Sequence, residues 1–262
     1  MLGQIWDTLL INPILNSLVL FYKYTGNLGI AIILLTILIR LILYPAMAPS
    51  LKTMKKQRDL QPEIDKLKKK YGYDKKKLAE EQMKLFKEHG IAPGLGCITQ
   101  LGTVVVIIAL YQVISKFALH FDLNSINSAI YFDFLKLSST EVINTTFGYL
   151  NLNKPDPYFI LAVLSGLFQF VQSKMTFPYV TQAEKAAEKT PDKTDDIAYN
   201  MQQQMLYTMP VMNFVIGLSL PSGVVLYILT TTIFSIVQTY FVTGLGGVTP
   251  WVKKIGLDKY IK

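Results

Sequence analysis

Arg40 stands inside an otherwise apolar run, LLTILIRLILYP at 34–45, where an ionised side chain has to be hydrated, paired or led to an interface. Thr36 and Tyr44 lie one helical turn before and after it, so a helix here carries a polar stripe of hydroxyl, guanidinium and phenol. A guanidinium keeps its charge and offers five donors in a planar fork, which suits reversible binding of a carboxylate. Residue sets that make and break bonds are missing. No Asp or Glu falls inside a predicted span, His89 and His120 sit at or beyond span ends, and there is no HExxH, no paired Asp and no Ser/His couple. GLGC at 94–97 is too short for a phosphate loop. Cys97 is the single cysteine, which excludes a disulfide within the chain and a cysteine metal site. We therefore expect no enzyme, no metal and no cofactor. Arg40 finds no acid in its own predicted spans, although a charge at that depth costs at least ~2.5 kcal/mol. Snorkelling to the nearer interface would explain a lone arginine; a stripe repeated on other helices points instead to a shared wet cavity.

The elements that must position these residues are membrane helices. The chain has 262 residues, 51% of them hydrophobic and only 17% charged. Charge is absent from 24–39, 91–115, 157–173 and 197–252. A helix of about 20 residues crosses a ~30 Å hydrocarbon layer. The last stretch is broken at LPSG, where Pro221 and Gly223 suit a turn. Five spans follow, over 27–48, 96–116, 157–175, 202–219 and 222–243, with Pro210 kinking the fourth. The third carries Ser165, Gln169, Gln172 and Thr176, the fourth Gln204, Thr208 and Asn213, and the fifth Tyr227, Thr230, Thr231 and Gln238. One such residue is ordinary helix-packing glue. Several stripes together predict a hydrophilic groove.

Orientation follows from the basic residues. Thirteen Lys or Arg lie in 49–97, four in 174–201 and four in 244–262, against Lys23, Lys136 and Lys154 in the other connections. The positive-inside rule puts the N-terminus outside and the C-terminus in the cytoplasm, and it reads the net charge of +8 as a topology signal rather than a nucleic-acid surface. No basic residue precedes Lys23, so a signal peptide is not indicated. The run 14–24 is broken by Asn16 and Ser17 and reads as an amphipathic helix on the outer membrane surface. The segment 50–90 reads as a cytoplasmic helical hairpin: Leu60, Ile64, Leu67 and Tyr71 repeat with helical spacing, as do Leu78, Gln82, Leu85 and His89. Pro62 fits a first turn, Gly72 an end, and Asp74 a cap. The polar segment 183–196 is expected to be mobile.

The motifs GNLGIAIILLTILIRLILYP, LQPEIDKLKKKYGYDKKKLAEEQMKLFKEHG, PGLGC, DPYFIL and MPVMNFVIGLSLPSGVVLYIL, in that order, resemble the YidC/Oxa/Alb family of membrane protein insertases. The resemblance covers roughly 26–243. It implies an all-α polytopic membrane protein, a monomer whose five transmembrane helices surround a groove open to the cytoplasm and to lipid. The implied organisation is an outer-surface amphipathic helix at 1–25 and a five-span core at 26–243. The core holds the hairpin at 50–90, an outer loop at 117–156 and a mobile cytoplasmic loop at 176–201, and a short basic tail follows at 244–262. Arg40 matches the family's central groove arginine, Thr36 and Tyr44 match groove-side positions, and Gln169 or Gln172 matches a polar position on the third helix. Tyr227 follows the PSG turn as in the family, while Ile228 stands where similar relatives carry an aromatic. Implied partners are nascent membrane proteins, membrane lipid, the Sec translocon and the ribosome, with no direct nucleic-acid binding beyond a ribosome contact, in a bacterial plasma membrane. Folding and assembly of membrane proteins fit the same residues as insertion does. A small-molecule or anion transporter using the groove is the alternative from another class, and the inverted repeat common in such transporters is not visible.

Overall fold

The computed structural model describes residues 2–71, 74–91, 95–119, 122–138, 142–176 and 197–255. Gly72, the predicted end of the first hairpin helix, His120, the polar segment 183–196 and the end of the basic tail lie outside them. Helices dominate. Helix α1 (Leu2–Trp6) runs through a π-type turn, Asp7–Ile11, into α2 (Asn12–Thr25), which ends at Gly26 in the left-handed conformation. There follow α3 (Leu28–Asp59), α4 (Gln61–Tyr71), α5 (Lys75–Glu88), α6 (Leu95–Ile114) and the short α7 (Leu123–Ala129). A two-stranded antiparallel ribbon, β1 (Thr146–Phe147) with β2 (Leu150–Asn151), pairs Thr146 with Asn151 and Phe147 with Leu150. The chain continues through α8 (Ile160–Thr176), α9 (Ile197–Ser219), α10 (Ser222–Thr243) and α11 (Thr249–Ile255).

Three stretches, Gly3–Thr25, Leu28–Asp59 and Ser222–Thr243, are long and apolar enough to cross a membrane, and Gly102–Phe117 and Leu206–Ser219 are shorter apolar helices. Two of these differ from the hydropathy pattern. The first is a single stretch because the π-type turn lets the helix pass through Asp7 and Thr8 without a break, whereas the apolar run at 14–24 alone is too short to span. The second continues beyond 48, through Pro45 and Pro49, to Asp59. Hydropathy reports the surrounding solvent, while backbone bonding sets the helix end; each proline removes one N–H and leaves the other bonds of the ladder in place.

The chain divides into two compact units. The first comprises 1–44, 100–168 and 211–234. Its apolar core draws Leu15, Leu18 and Val19 from α2, Leu28, Ile32 and Leu35 from α3, Leu110, Val113 and Ile114 from α6, and Val224 and Val225 from α10. At one end of this unit the segment 122–156 closes the bundle by bonding to helix termini. Asn16, which interrupts the apolar run of α2, is buried and fully used: its amide donates to the carbonyls of Asn12 (2.8 Å) and Ala129 (2.9 Å) and accepts from the Tyr131 N–H (2.8 Å). Lys23, near the end of α2, donates to the carbonyls of Phe134 and Lys136. The Asn27 carboxamide caps α3 by accepting from the Gly29 N–H and reaches β1 by donating to the Thr146 carbonyl. Gly29 has no room for a side chain because the Phe147 ring occupies the place of its Cβ. Ser222, at the start of α10, donates through N–H and hydroxyl to the Lys154 carbonyl, at 2.8 and 2.7 Å.

In the same region Asp156 organises the entry to α8. One carboxylate oxygen accepts from the Tyr158 N–H at 3.0 Å, and the other from the Leu161 N–H at 2.7 Å and the Tyr149 hydroxyl at 3.2 Å. Partial burial and the neighbouring Asp156 carboxylate hold the Tyr149 hydroxyl above its ordinary pKa, so it stays a donor. Farther along, α8 meets α9 closely: a Cβ on Gly217 would lie 2.9 Å from the Ala162 Cα, the small-residue contact by which membrane helices approach.

The second unit comprises 45–99, 169–210 and 235–262. Helices α4 and α5 form a hairpin whose small core is Leu60, Ile64 and Ile91, flanked by Leu85 and Phe86. Asp74 caps α5, its carboxylate accepting from the Lys77 N–H at 3.0 Å, as its position before the periodic run predicts.

Replacing Asp156 tests the closure of the α8 entry. Asp156→Ala strands three donors and is expected to lower stability by about 1–3 kcal/mol, with Asp156→Asn intermediate, measured by thermal unfolding in detergent micelles.

Candidate functional site

Thr36 and Arg40 occupy successive turns of one face of α3, and both are buried; Arg40 is 6% exposed. The Thr36 hydroxyl donates to the Ile32 carbonyl at 2.6 Å, which fixes its rotamer and leaves its lone pairs for another donor. On α10, Tyr227 is 2% exposed and faces Thr231, one turn on, as well as the Arg40 guanidinium, with which it interacts electrostatically. From α8, Ser165 is fully buried, and its hydroxyl has no hydrogen-bond partner within the protein. The first unit thus contains a guanidinium and four hydroxyl groups contributed by α3, α8 and α10. A buried hydroxyl without a partner costs about 1–3 kcal/mol unless water or another polar group satisfies it.

The sequence-predicted residues distribute unevenly. Arg40, Thr36 and Tyr227 fall in one buried neighbourhood. Tyr44, although in helical register with Arg40, is 41% exposed. Gln169 and Gln172 belong to the second unit and are half-buried. Ser165 and Thr231 are members of the polar stripes; burial, which spacing alone does not report, sets them apart. Among the described residues no three of His, Cys, Asp and Glu gather as a metal site.

Arg58 was hidden in the basic hairpin segment. Its guanidinium donates to the Met175 carbonyl at 3.3 Å and the Thr243 carbonyl at 2.9 Å, so it satisfies acceptors at the ends of both α8 and α10 and places a cation at the negative end of each helix. Gly246, left-handed at φ 55°, packs so closely on the Met175 carbonyl and the Arg58 guanidinium that no Cβ fits. Beside it, the Lys174 ammonium lies 5.8 Å from the Phe170 ring centroid and 5.5 Å from that of Trp251, which ties α11 to α8. A signal for Arg58 does exist in the sequence: Arg40 and Arg58 are the only arginines among 26 basic residues. A forked donor is needed where two acceptors must be held at once, and lysine cannot supply one.

The sequence profile described as 60Kd inner membrane protein matches residues 20–246. The chain is similar to Membrane protein insertase YidC of Fusobacterium nucleatum, 33% identical over 224 residues that cover 86% of this chain and 90% of that one. It is also similar to Membrane protein insertase YidC 1 of Halalkalibacterium halodurans, 31% identical over 92% of this chain and 79% of the relative. A longer relative, Membrane protein insertase YidC of Geobacter sulfurreducens, is 31% identical over 90% of this chain, which spans only 38% of that protein.

The Arg58 contacts predict a graded response. Arg58→Ala is expected to cost about 1.5–3 kcal/mol, and Arg58→Lys less, because an ammonium keeps the charge but not the fork; unfolding in detergent by heat or denaturant reads both.

Proposed function

The chain belongs to the 60Kd inner membrane protein family, the YidC/Oxa/Alb insertases, and from that premise we propose that it inserts newly made proteins into a bacterial plasma membrane and helps them fold. The observation that carries the reading is a guanidinium buried beside hydroxyls on a helix long enough to span a bilayer. In this reading five helices enclose a hydrophilic groove open to the cytoplasm, with Arg40 at its centre and Thr36 and Tyr227 beside it. Tyr44 and either Gln169 or Gln172 are further groove positions on the family resemblance. The N-terminal helical segment lies on the outer surface, the hairpin of α4 and α5 and the C-terminal tail face the cytoplasm, and the protein works as a monomer. The Sec translocon and the ribosome are its proposed partners on the route by which substrates arrive.

The steps need no covalent chemistry. A substrate's short polar tail enters from the cytoplasm, and an acid on it pairs with Arg40. At 4 Å and an effective dielectric near 20, that pair gains ~4 kcal/mol before desolvation, comparable with the ~3 kcal/mol that a carboxylate costs at membrane depth. A potential positive outside then favours outward movement of the negative charge by ~2.3 kcal/mol per 100 mV. The apolar segment behind the tail meanwhile leaves for lipid and gains its own burial energy. The pairing is therefore strong enough to admit the tail and weak enough to release it. The chaperone role uses the same exit, because a segment that leaves sideways meets lipid and partner helices together.

The experiment is insertion of a single-span substrate into liposomes containing wild type, Arg40→Lys or Arg40→Ala, with and without an acid in the substrate tail. Arg40→Ala should insert the acidic-tail substrate roughly tenfold less efficiently, the factor expected for a loss of ~1.4 kcal/mol, while Arg40→Lys retains most activity and the neutral-tail substrate is little affected. Equal insertion by all three proteins would remove Arg40 from the mechanism.

A further inference from the structure

The segment 122–159 does more than close one end of the first unit. The ends of α2, α3, α8 and α10 that it joins all lie at that end, through Lys23, Asn27, Asp156 and Ser222. There the chain exposes aromatic rings that a water-facing loop would not. Phe132 and Phe134 are 57% and 68% exposed and stack with centroids 5.6 Å apart, while Leu135, the next residue, points into the core. Tyr158, 69% exposed, and Phe159 stand directly before α8. The helix then carries their exposed surface onward as an apolar stripe at Ile160, Val163 and Leu167.

Two features show that these rings are held outward. The Phe132–Phe134 strip is strapped to α2: the Tyr131 N–H donates to Asn16, and Lys23 donates to the Phe134 and Lys136 carbonyls at 3.0 and 2.7 Å. Phe159 has φ 58°, a left-handed backbone costly for a bulky residue, and among the described residues it is the single non-glycine with positive φ. The turn that imposes this is the one built on Asp156, whose carbonyl accepts from the Phe159 N–H at 3.2 Å. The fold accepts backbone strain in order to display a ring, where a ring serving only the core would be turned in.

We propose that Phe132, Phe134, Tyr158 and Phe159 form an anchor that seats this end of the bundle in the lipid interface, at the boundary between headgroups and acyl chains. Aromatic side chains favour that boundary. The apolar stripe of α8 leads into it without interruption, and the ammonium of Lys23 beside Phe134 supplies a cation at phosphate level. The occupant is thus a lipid surface rather than another protein. An anchor there fixes the depth of every helix that ends in the segment 122–159, and with it the depth of Arg40. The proposal rests on the helices spanning a membrane, as the proposed function requires.

The test uses three single substitutions, Phe134→Trp, Phe159→Trp and, as an internal ruler, Leu167→Trp, each in the full chain in vesicles of phosphatidylethanolamine and phosphatidylglycerol. Trp6 and Trp251 are present in every sample, and the parent chain gives their background. Phe134→Trp and Phe159→Trp should lose roughly half of the added fluorescence to lipid brominated close to the headgroup, and little to aqueous iodide or to lipid brominated near the chain end, as interface residence demands. Leu167→Trp, two turns deeper, should respond most to the deep label. Quenching of the first two variants mainly by iodide, with the Leu167→Trp ruler still reporting deep lipid, would overturn the anchor and leave the spanning helices intact. Iodide quenching in all three variants would overturn the membrane reading itself. Shielding of the indoles of Phe134→Trp and Phe159→Trp from both quenchers would assign the patch to protein contacts and equally overturn the lipid anchor.

Discussion

Keeping a guanidinium inside a helix of membrane length is the constraint on which the rest of this structure depends. Arg40 cannot shed its charge at any physiological pH, so its surroundings must accommodate it. Hydroxyl groups lie in the same unit: Thr36 shares its helix, Tyr227 approaches from α10, and Ser165 is buried there as well. Neutral polar groups solvate a cation without neutralising it.

Holding such a site in register falls to the helix ends. In the first unit the segment 122–156 satisfies the termini of α2, α3, α8 and α10 through Lys23, Asn27, Asp156 and Ser222. In the second unit Arg58 does the equivalent for the C-terminal ends of α8 and α10, with Gly246 and the Lys174–Trp251 contact beside it. Between their ends α3, α8 and α10 set the hydroxyls of Thr36, Ser165 and Thr231 into otherwise apolar packing.

Some of this was legible in the sequence. The Thr36–Arg40 stripe, the hairpin of α4 and α5 and the Asp74 cap depend on local spacing, and local spacing is visible along the chain. Tyr44 shows the limit of the same reasoning, since helical register puts it in line with Arg40 but does not report its 41% exposure. The ends of helices were less legible: hydropathy ended the first predicted span near 48, yet the ladder continues to Asp59. Asn16 read as an interruption because its amide is polar, whereas its partners lie at Ala129 and Tyr131, beyond the reach of any periodicity. Arg58 was hidden for the same reason. Its partners are backbone carbonyls, which every residue possesses, and only the scarcity of arginine in this chain could have drawn attention to it.

If Arg40 acts on substrates through its charge, reversing the charge on both partners should restore the interaction. Arg40→Glu would be assayed for insertion against two substrates that differ only in carrying an acid or a lysine in the translocated tail. Arg40→Glu is expected to fail with the acidic tail and to recover insertion with the lysine tail relative to wild type acting on the same substrate. No recovery, with the reversed pair performing no better than either single reversal, would contradict electrostatic capture by Arg40 and assign the site's role to its shape and hydration alone.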